Sequence, residues 1–129
     1  MTPFRTAWLS GAALLVASLV AGACATTTDP AESAARAECK AYARPLEHSG
    51  RMKDACLISR GYEQVYDTVA GPVRVRSRAT PRPPTETVAN DLKACNDETS
   101  RLGFRWGGKG IDQFVQCLSP RGYAVTVIR

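Results

Sequence analysis

Apolar positions recur along this chain in different rhythms, and each rhythm predicts a different element. Leu9 to Ala23 is a largely apolar run of about 15 positions. That is too short for a helix crossing a bilayer core of ~30 Å and the right length for the apolar core of an export signal. Further on, Ala35, Cys39, Tyr42 and Leu46 follow at spacings of 4, 3 and 4, and Val88, Leu92, Cys95, Thr99 and Leu102 at 4, 3, 4 and 3. Both series have the period of a helix with one apolar face. Shorter helices are expected over Gly50 to Arg60 and Gly110 to Arg121. Strands should follow each, weakly over Tyr62 to Val69 and strongly over Tyr123 to Ile128, where Val125, Val127 and Ile128 are β-branched.

Local signals place the boundaries. Asp29-Pro30-Ala31-Glu32 combines a capping side chain, a proline at the first helical position and a glutamate close behind, so a helix should begin there. Pro45 removes a donor and crowds the preceding turn, so that helix should kink or end near Arg44. Gly61 and Gly122 are placed to end the two short helices in the left-handed conformation.

These glycines belong to an internal repeat. Cys56-Leu57-Ile58-Ser59-Arg60-Gly61-Tyr62 matches Cys117-Leu118-Ser119-Pro120-Arg121-Gly122-Tyr123 at five of seven positions, and another cysteine stands 17 residues before the first copy and 22 before the second. Each upstream cysteine lies on the apolar stripe of its helix. The midpoint of Cys39 and Cys56 falls in His48-Ser49-Gly50 once rounded up, and that of Cys95 and Cys117 falls beside Gly107-Gly108. In an antiparallel helical hairpin, residues equidistant from the turn lie level, within the Cα separation a disulfide needs. The expected bonds are therefore Cys39–Cys56 and Cys95–Cys117, one of three ways to pair four cysteines. Modules of ~40 residues rarely fold on an apolar core alone, so such bonds are needed for folding.

Five cysteines occur in all, an odd number that leaves one for another purpose. It is Cys24, directly after Leu19-Val20-Ala21-Gly22-Ala23. This junction resembles the lipobox of bacterial lipoproteins, with Ala21 where that family most often has leucine. The resemblance covers residues 1 to 24. It implies cleavage before Cys24, a diacylglyceryl group on its sulfur and acylation of the new N-terminus. Ala21-Gly22-Ala23 also fits the Ala-x-Ala pattern of an ordinary secretory signal. Ala25 after Cys24 permits outer-membrane delivery under the sorting rule of enteric lipoproteins. The string Cys-Leu-x-x-Arg-Gly-Tyr is similar to a motif recurring in small envelope lipoproteins of Gram-negative bacteria. That likeness implies a compartment and a structural cysteine, and transfers no activity. An oxidising periplasm is where the two disulfides would persist.

Charge enters mainly in the middle of the chain. Residues 25–70 carry six basic and seven acidic side chains, 71–87 four basic and one acidic, and 88–129 six basic and four acidic. Gly71 to Glu86 also holds Pro72, Pro81, Pro83 and Pro84, which excludes a packed helix and suggests a linker. Val73-Arg74-Val75-Arg76-Ser77-Arg78 reads as a solvated edge strand or extended connection. Its sharper reading is a contact between Arg74, Arg76, Arg78 and Arg82 and an anionic surface. The tether from Cys24 to the first helix reaches only ~15 Å, which favours membrane phosphates, each arginine adding about 1 kcal/mol on an anionic leaflet. Nucleic acid is a poor partner, because no aromatic residues interleave with the arginines for stacking.

Other chemical signatures fail on inspection. Gly103-Phe104-Arg105-Trp106-Gly107-Gly108-Lys109-Gly110 begins like a phosphate loop but has glycine where the Mg²⁺-binding hydroxyl should stand, and it follows a helix instead of a strand. Phe104 and Trp106 are expected to cover the open end of the second hairpin. His48 is the only histidine, and the cysteine spacings lack the close pairs of zinc modules. His48, Ser49 and Asp54 have no nucleophile elbow to make them a triad. No catalytic residue, metal or cofactor is assigned.

The chain has 129 residues, 44% hydrophobic and 22% charged, which excludes a large enzyme fold. The expected product is an α+β protein of two repeated, disulfide-linked helical hairpins, each followed by a short strand. Residues 1–23 form the signal peptide, 24–28 the anchor and tether, 29–70 the first module, 71–86 the linker and 87–129 the second module. The expected role is non-enzymatic, as a binding or accessory protein anchored in the envelope and facing the periplasm. Its partners would be the membrane through Cys24 and an anionic phospholipid or envelope protein. The alternatives are a structural protein held on the bilayer by its basic linker and, last, a hydrolase of an envelope polymer.

Overall fold

The computed structural model describes residues 29–103 and 108–128. Helix α1 spans Pro30–Ala43, with the Asp29 carboxylate accepting from the Ala31 N–H at 3.1 Å and the last turn closing at Arg44, directly before Pro45. Helix α2, Ser49–Ser59, returns alongside it after His48, which adopts the left-handed conformation at φ 56°. Helices α3, Thr85–Arg101, and α4, Gly108–Leu118, form the second hairpin. A 3₁₀ turn, Ser119–Arg121, follows α4 and places Pro120 where its missing N–H breaks no α-helical bond.

The expected pairing of cysteines is present. Cys39–Cys56 ties α1 to α2 and Cys95–Cys117 ties α3 to α4, each with a Cα separation of 5.6 Å. In α3 the buried residues include Val88, Leu92, Cys95 and Thr99, as the spacing required, while Leu102 is exposed. In α1 the buried stripe is Ala35, Cys39 and Ala43, a spacing of four throughout. Tyr42 and Leu46, expected on that face, are exposed. The ending of the helix before Pro45 takes Leu46 off the stripe, and the small Ala43 allows close approach to α2.

Three antiparallel strands complete the α+β architecture: β1, Gln64–Thr68; β2, Gly71–Ser77; and β3, Tyr123–Val127, in the order β1-β2-β3. Thr68 pairs with Gly71 across a two-residue turn, and Val73 and Val75 pair with Val127 and Val125 on the other side. The Thr68 hydroxyl donates to the Gly71 carbonyl at 2.7 Å, and Asn96 of α3 accepts from the Val69 N–H at 2.8 Å, so the turn is fastened to the helical layer.

This corrects the reading of 71–86 as a linker. Residues 71–77 are the central strand of the sheet, neither an edge nor a free connection, and only the stretch between Ser77 and Thr85 links the two halves. Gly71, Val73 and Val75 point inward while Pro72, Arg74 and Arg76 point outward. The outward set made the segment look solvated, although its alternation is that of a half-buried strand. Pro72 is tolerated because it lies at the turn end of the strand, beyond the reach of β3. The strands that end the two repeats do not pair with each other, since β2 lies between them.

The repeats share one core. Ile58 and Ala55 of the first half pack with Val88, Leu92, Phe114, Leu118 and Tyr123 of the second, beneath Tyr66, Val73 and Val75 of the sheet. A smaller cluster of Ala35, Cys39, Cys56 and Leu57, with Tyr62 against it, holds α1 to α2.

Candidate functional site

The ends of the short helices explain where two of the four expected surface arginines go. At the end of α2, the Gly61 N–H donates to the Ile58 carbonyl at 2.9 Å and the Tyr62 N–H to the Leu57 carbonyl at 3.0 Å. That paired pattern needs a left-handed residue, and Gly61 has φ 92°. The Arg82 guanidinium lies over this glycine and donates to the Arg60 carbonyl at 2.7 Å. Arg78 donates to the Ser119 carbonyl at 2.9 Å at the end of the second short helix. Each arginine thus serves carbonyls at a helix C-terminus, where positive charge is favoured. Both remain exposed, and each adds a helix-end contact to the surface position expected of it.

The remaining cations meet others that are distant in sequence. Ser59 donates to the Pro83 carbonyl at 2.8 Å, so α3 starts beside the end of α2 and runs back along it. The α1–α2 turn and the end of α3 consequently lie at one end of the helical layer, and the start of α1 at the other. There α1 extends past the end of α2 and faces residues 61–65, leaving a groove of about 700 Å³. Its charged lining is Glu32 and Arg36 from α1, Lys53 and Asp54 from α2, Glu63 before β1, and Arg74 and Arg76 from β2.

Ion pairing in the groove is uneven. Arg36 is paired with Glu32 at 2.6 Å and also donates to the side-chain carbonyl of the buried Gln64 at 3.4 Å. Arg74 lies 4.0 Å from Glu63. Lys53 and Arg76 make no ion pair among the described residues. Asp54 is the acid without a close cationic partner, and burial pushes its carboxyl from 3.8 up to about 6. Lys53 and Arg36 oppose that shift, and Asp67 adds to it.

The raised value fixes the sign of a pH effect. A carboxyl that holds its proton more tightly when folded favours the folded state most below about pH 4, and that contribution is lost as the pH rises through about 6. Asp54→Asn is therefore expected to match the parent in stability near pH 4 and to exceed it at pH 7.5, by on the order of 1 kcal/mol given the carboxyl's partial exposure. Denaturant titrations at the two pH values measure this. An equal difference at both would mean that Asp54 titrates as an ordinary surface carboxyl.

His48 and Asp54 border a second hollow with Arg51, Tyr66 and Asp67, whereas Ser49 borders a different one. Cys24, Phe104 and Trp106 lie outside the described residues. Arg36, Lys53 and Asp54 carry no mark in the sequence that joins them to Arg74. The one available signal is that Arg36 is four residues after Glu32 on an exposed helical face.

Among the described residues, no helix is long and apolar enough to cross a membrane, and no group of three or more histidine, cysteine or acidic residues could hold a metal ion. The chain matches no protein-family model, and no curated protein or solved structure matches it.

Proposed function

We propose that this is a lipid-anchored protein of a bacterial envelope, attached through Cys24, facing the periplasm and acting as a non-enzymatic binding or accessory protein. The observation that carries the reading is the charged groove at the end of the molecule where α1 begins. Cys24 is five positions before Asp29, so the tether keeps the start of α1, beside the groove, within ~15 Å of its anchor. A binding surface held there meets whatever lies at the leaflet.

Two further facts support the compartment. Four of the five cysteines are consumed in disulfides, which persist in oxidising surroundings. The fifth stands at the lipobox-like junction. Ala25 favours the outer membrane over the inner one, on the sorting rule that accompanies the resemblance.

Intact mass and fractionation test this together. Protein extracted from membranes is expected to begin at Cys24 and to carry the added mass of a diacylglyceryl group and an acyl chain. Cys24→Ser is expected to move the protein out of the membrane fraction. An unmodified Cys24 in a soluble periplasmic protein would overturn the anchor. Release of fragments from purified cell-wall polymer would overturn the non-enzymatic role.

A further inference from the structure

We propose that the groove between α1, α2 and the β1–β2 face binds a phosphate-bearing anion through Arg36, Lys53, Arg74 and Arg76. This rests on the reading of the protein as a lipid-anchored binding protein and states what its groove takes.

The first argument is the balance of charge. Four cations and three acids line the groove. Glu32 is matched by Arg36, and Glu63 lies at the outer limit of an ion pair with Arg74. That leaves Lys53 and Arg76 as cations without an ion-pair partner among the described residues. Asp54 alone opposes them, and its burial disfavours its charged form. The groove therefore attracts anions, more strongly as the pH falls. The other charged or titratable groups around Asp54 are Asp67 and Tyr66 on β1, Arg51 on its own helix and His48 just before that helix, all bordering the hollow on its other side.

Geometry narrows the class of anion. Arg74 and Arg76 are two apart on β2 and share its outward face, while Arg36 and Lys53 come from two helices, so the cations approach from different sides. A tetrahedral phosphate presents three oxygens in different directions and can be held by more than one guanidinium fork and an ammonium together. A planar carboxylate is satisfied by one fork. The space of about 700 Å³ exceeds what a bare phosphate fills and suits a phosphate carried on a larger polar body. The position near the anchor brings two sources into reach: a phospholipid headgroup and a soluble phosphate ester.

The test uses the full-length chain with Cys24→Ser, so that lipidation does not fix it to a bilayer. Inorganic phosphate and glycerol 3-phosphate are titrated and followed by NMR. In parallel, flotation is measured with phosphatidylglycerol vesicles and with phosphatidylcholine vesicles. A saturable shift at residues 36, 53, 74 and 76 with the soluble phosphates assigns a soluble ester. Flotation with phosphatidylglycerol alone, without such a shift, assigns the headgroup.

In either case Arg76→Ser and Lys53→Ser, both at positions without an ion pair, are expected to weaken binding at least tenfold while the thermal transition stays in place. Arg76→Lys should restore part of it. The proposal fails if neither probe binds, if vesicle binding ignores both substitutions, or if an oligoglutamate peptide binds the groove as tightly as phosphate. The mass of the lipidated protein is read separately, so loss of the anchor reading and loss of the phosphate site are distinguishable.

Discussion

Val75→Asp is expected to abolish folding. Val75 is fully buried, and it lies in the middle strand between Gln64 of β1 and Val125 of β3. A carboxylate there would face Val73, Phe114 and the other residues of the main core with no cation to meet it. Burying such a charge costs several kcal/mol even after relaxation, against a total stability of ~5–15 kcal/mol for a domain. Arg76→Asp, one position along on the outward face, should leave the thermal transition nearly unchanged. The comparison by circular dichroism and thermal unfolding is decisive because a solvated linker would tolerate both substitutions equally. A cooperative, parent-like transition in Val75→Asp would remove β2 from the core.

The second large effect concerns the disulfides, and the two should differ in kind. Each closes a loop of similar length, worth about 3 kcal/mol in the chain-entropy account. Cys95 sits in the main core, with Cys117 packed against it. Replacing this pair with alanine should lower global stability by about that amount, read as a shifted denaturant midpoint. Cys39 and Cys56 belong to the smaller cluster that holds α1. Their replacement should release α1 while α3 and the sheet remain folded, so hydrogen exchange should speed at Pro30–Ala43 and stay slow at Val88, Leu92 and Cys95. It should also remove one wall of the groove. Equal exchange of all helices would show that α1 has no independent unfolding.

Much of the helical layer was legible before the structure, because its determinants are local or symmetric. Asp29-Pro30, Pro45, Gly61 and Gly122 act within a turn or two of themselves, and the cysteine pairs could be placed from their distance to a turn. The sheet was harder. Val73-Arg74-Val75-Arg76 alternates as a strand does, but its central position depends on β3, some 50 residues later in the chain. The prolines around it belong to the turn end and to the connection after Ser77, and they obscured the short strand between them. The groove was not legible at all. Its cations come from α1, α2 and β2, and only the packing of the hairpin against the sheet brings them together. The helix-end contacts of Arg78 and Arg82 were not legible either, because each carbonyl they reach lies more than 20 residues away in the chain.

The Arg82 guanidinium over Gly61 gives the two copies of the motif unequal surroundings. A Cβ on Gly61 would come within 2.5 Å of that group, whereas one on Gly122 would meet the Ala79 side chain at 3.5 Å, an ordinary contact. Both glycines need a left-handed backbone, a conformation that asparagine also reaches. Asparagine at position 122 would meet only an ordinary contact, whereas at position 61 it would displace the Arg82 guanidinium from the Arg60 carbonyl. One side chain of the connecting segment thus makes two like glycines unequal: the cost of replacing the first is a lost tie between the halves, and that of replacing the second is local.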